Sequence, residues 1–169
     1  MKGQYSLKKT DIALYELEIM RAGCCGALAA GCFFETDSDY VLSLELSGLK
    51  GALSVLQPKG RELFSGYRAL LCLLRKILEA IALAEDFLIP AAHISFAPDD
   101  LLIDSHENIR LVLKPQSGNL PERLCALLTY IEKHSPGMHA AHLASLVPEY
   151  ADTSYMLREL SILELELLR

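Results

Sequence analysis

The sequence predicts an α+β fold: a small antiparallel sheet, then a helical half built around one long helix with a β-hairpin at its exit. Three patterns carry this expectation. Apolar residues recur at Leu63, Tyr67, Leu70, Leu71, Leu74, Ile77, Leu78 and Ile81, the three-and-four spacing that lines one face of a helix. Two apolar runs, 27–34 and 40–46, flank the turn-forming Glu35-Thr36-Asp37-Ser38-Asp39 as the arms of a hairpin do. Beyond Pro90, residues 101–104 and 109–112 form a second pair of short apolar runs about a turn at 105–108.

The bounds agree with a single domain over 1–169, with its sheet-containing part at about 1–57 and its helical part at about 61–169. At 169 residues, 51% of them apolar and 22% charged, the chain is long enough to bury a substantial core and too apolar to default to disorder. A net charge of -6 and a pI near 5.3, without a basic stripe, exclude nucleic acid and an anionic membrane surface as expected partners. The long helix matches a membrane span in length, but Arg68, Arg75, Lys76, Glu79, Glu85 and Asp86 interrupt it, so insertion is not expected. The first ten residues are polar and do not read as a signal peptide. The five cysteines, Cys24, Cys25, Cys32, Cys72 and Cys125, are odd in number and lack a Cys-x-x-Cys pair. They read as reduced core thiols of a cytoplasmic protein.

Taken in order, Thr10 is the expected N-cap of a helix over 11–21 that Gly23 stops. Its Glu16 and Glu18 read as a solvated face. Gly23, Gly26 and Gly31 do not have P-loop spacing, and no helix with a Lys and a Ser or Thr opens after them, so close backbone packing ahead of a strand is expected. In 40–46, Tyr40, Leu42, Leu44 and Leu46 alternate with Val41, Ser43 and Glu45, as in a half-buried strand. Residues 52–57 form a short helix closed by Pro58 and Gly60. After the second hairpin and a polar loop at 115–119, Leu120, Leu124, Leu127, Leu128 and Ile131 mark a helix that ends at Ser135-Pro136-Gly137. Residues 139–147 form a shorter helix, and Asp152 caps a last one containing Tyr155, Met156, Leu160, Leu163, Leu167 and Leu168.

Three side-chain groupings hold candidate chemistry. His134, His139 and His142 lie close together, and the three-residue spacing of His139 and His142 makes them the candidate metal ligands, although no third ligand is evident and surface or capping roles are preferred. His93, Ser95 and Asp99 or Asp100 contain the letters of a hydrolase triad, but one loop without a Gly-x-Ser-x-Gly elbow favours a structural histidine. Asp99, Asp100 and Asp104 offer oxygens to Mg²⁺ or Ca²⁺; bonding of loop amides by Asp99 or Asp100 is preferred.

The order of long helix, loop and hairpin, with the segment His93-Ile94-Ser95-Phe96-Ala97-Pro98-Asp99-Asp100 followed by Leu101-Leu102-Ile103-Asp104, resembles the centre of the protein-kinase fold. There His-Arg-Asp-Leu-Lys-Pro-Glu-Asn leads into a similar strand. The apolar residues and the proline align without a gap. The resemblance places Ser95 at the catalytic Asp, Ala97 at the loop Lys and Asp100 at the metal-binding Asn, making Asp100 the one candidate cofactor-binding residue. Leu113-Lys114-Pro115 stands where Asp-Phe-Gly would. Loss of base and strand-borne metal ligand together removes what phosphoryl transfer depends on.

A narrower resemblance rests on Tyr15-Glu16-Leu17-Glu18-Ile19-Met20, Gly26-Ala27-Leu28, Leu44-Glu45-Leu46-Ser47-Gly48-Leu49 and Ala97-Pro98-Asp99-Asp100-Leu101-Leu102-Ile103-Asp104. Over most of its length the chain is similar to the bacterial uncharacterised domain found ahead of forkhead-associated (FHA) domains. Two departures are expected: almost nothing precedes the first helix, where that family carries a strand pair, and no FHA domain follows Arg169. A fragment or a reduced member would explain both. The resemblance implies a degenerate, pseudokinase-like, non-catalytic module without a cofactor, serving bacterial cytoplasmic signalling or secretion control by binding protein, such as an FHA-containing or secretion-system partner. The rival readings are a type III-like secretion chaperone and an atypical ATP-dependent phosphotransferase using Asp100.

Overall fold

A computed structural model describes residues 3–56, 65–148 and 151–166. Among these residues the chain is mixed α+β, with two three-stranded antiparallel sheets and five α-helices. The first sheet orders β1 (Gln4–Lys8), β3 (Asp39–Leu44) and β2 (Gly31–Glu35) with β3 at its centre. The second orders β4 (Lys50–Gly51), β5 (Leu101–Ile103) and β6 (Ile109–Leu111). The helices are α1 (Leu14–Ala22), α2 (Ser65–Asp86), α3 (Leu120–His134), α4 (Ala140–Ser145) and α5 (Thr153–Glu166).

Helix α2 is the rod about which the rest packs. Leu70, Leu71, Leu74, Ile77, Leu78 and Ile81 are buried, because the three-and-four spacing turns them to one side. Leu63, expected as its first apolar position, lies outside the described residues, as do Gln57, Pro58 and Gly60 of the expected short helix and Leu167 and Leu168 of the last. The hairpin β5–β6 abuts this rod. Leu101, Ile103, Ile109 and Leu111 join the same buried cluster as α2, whereas Leu102 and Val112, on the other face, pack with Ala29 beneath Tyr5, Leu44, Leu46 and Leu49. A hairpin apolar on both faces is sandwiched, so these six residues weld the first sheet to the helical half.

Several expectations change. A strand, β1, precedes the first helix, although the opening residues read as polar. Leu7 and half-buried Tyr5 point inward while Gln4, Ser6 and Lys8 face out, and pairing with β3 makes a strand of a segment with only two apolar positions. Helix α1 starts after Ala13, not Thr10. The Thr10 hydroxyl donates to the Asp11 carboxylate, and the Glu16 carboxylate accepts the Ala13 amide at 3.0 Å, so the cap comes from inside the helix. In 27–34 only the second half is strand; Ala27 and Ala29 instead bond Leu111, seating that segment on the hairpin. Lys50 and Gly51, between the two predicted elements at 40–46 and 52–57, add β4 to β5. The cysteines are free thiols, but only Cys25 is fully buried; Cys24, Cys32 and Cys72 are exposed, because each falls on the outward side of its segment.

The helical boundaries follow local chemistry. Asn119 and Glu122 form the reciprocal cap of α3, each side chain accepting the other's amide, at 2.9 and 3.0 Å. Asp152 accepts the Tyr155 amide at 2.7 Å as expected. Arg75 of α2 clasps Glu164 of α5, tying the last helix to the rod. Gly31 is required by close approach, since a Cβ there would sit 2.6 Å from the Ser43 carbonyl. Gly23 supplies the left-handed C-cap of α1 at φ 64. No helix among the described residues is long and apolar enough to cross a membrane.

Candidate functional site

The loop between α2 and β5 gathers three of the four buried polar or charged residues among those described: Ser95 within it, and Glu16 and Arg123 against it. Pro90 ends the approach, a 3₁₀ turn at Ala91–His93 follows, and Ser95 and Lys114 are drawn against each other by an edge contact of the loop with 112–114. There the Ser95 amide donates to Val112 at 2.9 Å and the Lys114 amide to His93 at 2.7 Å. Arg123, projecting from the first turn of α3 and almost wholly buried, donates to the carbonyls of Ala91 at 2.8 Å and Ile94 at 3.0 Å and lies over the Phe96 ring. Burial pushes its guanidinium below the ordinary value, and the two carbonyls together with the ring take the place of water around the cation.

On one side of this loop stands Glu16. The sequence places it on a solvated face, yet it is fully buried, and its carboxylate oxygens lie 2.8 and 3.0 Å from His93 Nδ1. That distance requires the proton on Nδ1, so the imidazole donates. Glu18, by contrast, pairs with Arg21 at the surface. The burial of Glu16 has a physical origin: the carboxylate is held by a partner 77 residues away and by its own helix start, neither of which helical spacing reveals.

On the other side stands Asp100. Its Oδ2 accepts the Ser95 hydroxyl at 2.6 Å and the Lys114 ammonium at 3.2 Å. Ser95, buried, also accepts the Ala97 amide at 3.2 Å and Gln116 Nε2 at 3.0 Å, while Gln116 Oε1 accepts the Phe96 amide. Tyr5 closes the edge: its ring lies against the Lys114 ammonium and its hydroxyl donates to the Leu113 carbonyl at 2.7 Å. Burial first, and then the Asp100 charge, raise the Tyr5 pKa, so the phenol keeps its proton. Ser95, Asp100, Lys114, Gln116 and Tyr5 thus each have a hydrogen-bond partner within the protein. The Ser95 hydroxyl donates to Asp100, and His93 turns its Nδ1 to Glu16, so the triad letters do not converge on one reacting atom.

The amide-bonding role expected of Asp99 or Asp100 belongs to Asp104. Its carboxylate accepts the amides of His106 at 2.8 Å and Asn108 at 2.9 Å, as well as the Arg110 guanidinium at 2.9 Å. Burial works against its ionisation, but the Asn108 amide, Arg110, the Asn108 side chain and the His106 amide hold the carboxyl at about 2. Arg110 also donates to the Gly26 carbonyl, so the glycine segment turns an acceptor to this cation rather than amides to a phosphate. A shallow cleft of about 440 Å³ opens beside them, lined by Gly26, Lys76, Glu79, Glu107 and Arg110 with charges of both signs.

His139 and His142 flank Tyr67, the Tyr67 hydroxyl lying 3.4 Å from His142 Nδ1 and the ring centroids 6.2 and 6.3 Å from the two imidazoles. His134 is elsewhere, its Nδ1 bonded to the Tyr130 carbonyl and its ring stacked on that tyrosine. The three histidines therefore do not gather. Among the described residues no group of three or more His, Cys, Asp or Glu side chains is placed to hold a metal. Comparison with protein-family models and with curated proteins finds no match to this chain.

Proposed function

We propose that this chain is a non-catalytic, kinase-like module of bacterial signalling or secretion control that works by binding protein. One observation carries the reading: the Lys114 ammonium and the Ser95 hydroxyl both bond Asp100 Oδ2. If Asp100 stands where a kinase holds a metal ligand, the cation beside it is an amine of the protein's own chain, supplied from the segment that would otherwise bring the second metal ligand. A carboxylate with an internal counter-charge and a buried hydroxyl partner has less to offer a metal-bound phosphate, since a metal would have to displace the ammonium first. The packing of Tyr5, Leu44, Leu46 and Leu49 over Leu102 supports the same reading, for it fills the space between the two sheets with side chains.

The test is thermal unfolding and phosphotransfer at millimolar ATP with Mg²⁺. A ligand that binds only the folded form raises the melting temperature by mass action. The module is expected to show no shift and no transfer of the γ-phosphate. ATP turnover that is abolished by Asp100→Ala would replace this reading with that of an atypical phosphotransferase.

A further inference from the structure

The C-terminal end of α2 departs from three local rules at once. Leu88 follows the helix at φ 60, in the left-handed region where glycine is the ordinary residue. It is the pivot of a two-bond cap in which its amide donates to the Glu85 carbonyl at 2.8 Å and the Ile89 amide to the Ala84 carbonyl at 3.0 Å. The last turn carries Glu85 and Asp86 and no basic residue, although the carbonyl end of a helix favours cations. Finally, the Leu88 side chain is 76% exposed. Beside it stands Tyr15, 46% exposed, whose hydroxyl donates to the Leu88 carbonyl at 2.6 Å; Leu14, 50% exposed, precedes Tyr15 in the first turn of α1. Each departure weakens the fold locally, and the exposed side chains return little buried area within the chain. Broken local rules without an internal gain gather where a protein meets something else.

We infer that Tyr15 and Leu88, with Leu14 beside them, form a rigid apolar knob that docks a protein segment presenting an apolar socket flanked by lysines or arginines. The apolar tips select the socket, and Glu85 and Asp86 select the cations. The same two acids argue against the other occupants of an apolar patch: a second copy would set like charges against each other, and an anionic lipid surface would be repelled. The Tyr15 hydrogen bond anchors the knob to α1, so little side-chain freedom is lost on docking. This inference deepens the interaction-module reading and rests on it.

The experiment selects a random displayed peptide library against the full chain. It then measures the affinity of recovered peptides for the unaltered protein and for Leu88→Gly, Asp86→Lys and Ile162→Ser, the last on the exposed side of α5. Recovered peptides are expected to carry an apolar anchor flanked by lysine or arginine, and to bind more weakly in about 0.3 M salt than in about 0.05 M. Leu88→Gly and Asp86→Lys are each expected to raise Kd about tenfold or more, and Ile162→Ser to leave it unchanged. Because glycine suits the left-handed cap and lysine suits the helix end, both knob variants are expected to melt no lower than the parent, which separates lost binding from lost folding. The knob is overturned by failure to enrich peptides, by a pool without basic residues, or by affinities indifferent to Leu88→Gly. It is equally overturned by Leu88-dependent binding to phosphatidylserine vesicles or by Leu88-dependent dimerisation in sedimentation. Peptides lost only on Ile162→Ser would overturn this surface while leaving the interaction module standing; ATP turnover would instead remove the module.

Discussion

Leu88 and Ser95 lie a few residues apart on the same connection, and the physics at the two places is opposite. Around Ser95, four polar side chains and two backbone amides are satisfied inside the protein, and the Asp100 charge is balanced by Lys114. At Leu88, an apolar side chain projects into solvent from a strained backbone beside two acids at a helix end that favours cations. The first region has its chemistry turned inward, and the second has its cost turned outward. A site that completes its own hydrogen bonds holds structure, whereas one that leaves contacts unmade has room for a partner.

Four substitutions break or sharpen that contrast. Glu16→Ala should have the largest effect. It strips a buried carboxylate from His93 and from the Ala13 amide, a loss of about 2–4 kcal/mol by denaturant unfolding. A change below about 0.5 kcal/mol would mean that the loop does not depend on α1. Ser95→Ala leaves the Ala97 amide and Gln116 without their shared acceptor and should cost about 1–3 kcal/mol, with m unchanged.

Asp104 gives a pH-dependent test. Its folded pKa lies below the ordinary 3.8, at about 2, so its contribution is complete above the unfolded value and is lost as pH falls from near 4 towards 2. Allowing for solvent at its rim, up to about 2 kcal/mol is at stake. Asp104→Asn should flatten the acid limb of the stability curve over that window and leave Ser95 and Leu88 untouched. A limb as steep as the parent's would assign acid lability to other carboxylates. Leu88→Gly should move stability the other way, by about 1 kcal/mol, raising Tm by about 2–4 °C for a chain of this size. A fall in Tm would show that the leucine side chain is held within the fold and is not a knob.

The long helix and both hairpins were legible because their signals are local. Leu70, Leu74, Ile77 and Ile81 announce a buried face by spacing alone, and Asp152 caps α5 from three residues away. The candidate site was legible only as an inventory. His93, Ser95 and Asp100 drew notice by their places in one loop, but their partners, Glu16 and Lys114, did not, since those contacts cross from other elements. Lys114 was visible in the chain only within Leu113-Lys114-Pro115, the stretch that the resemblance sets against Asp-Phe-Gly. That its ammonium reaches Asp100 follows from the antiparallel contact between the loop and 112–114, which no periodicity encodes. The histidine grouping failed for the converse reason. Proximity in the chain of His134, His139 and His142 says nothing of where a helix end turns, and His139, at φ 54, begins a new helix away from His134.

By itself the sequence determined which segments are helix or hairpin and which face of each is apolar, because backbone hydrogen bonding and side-chain period act over a few residues. It also determined the acidic balance and the presence of charges that interrupt the long helix. Tertiary structure alone decided that Gln4–Lys8 and Lys50–Gly51 are strands, that Glu16 lies buried against His93, and that Asp100 faces an ammonium. In each of these cases a short or charged segment has no stable conformation of its own, and its free energy is set by a partner brought near only when α2 and the two sheets have packed.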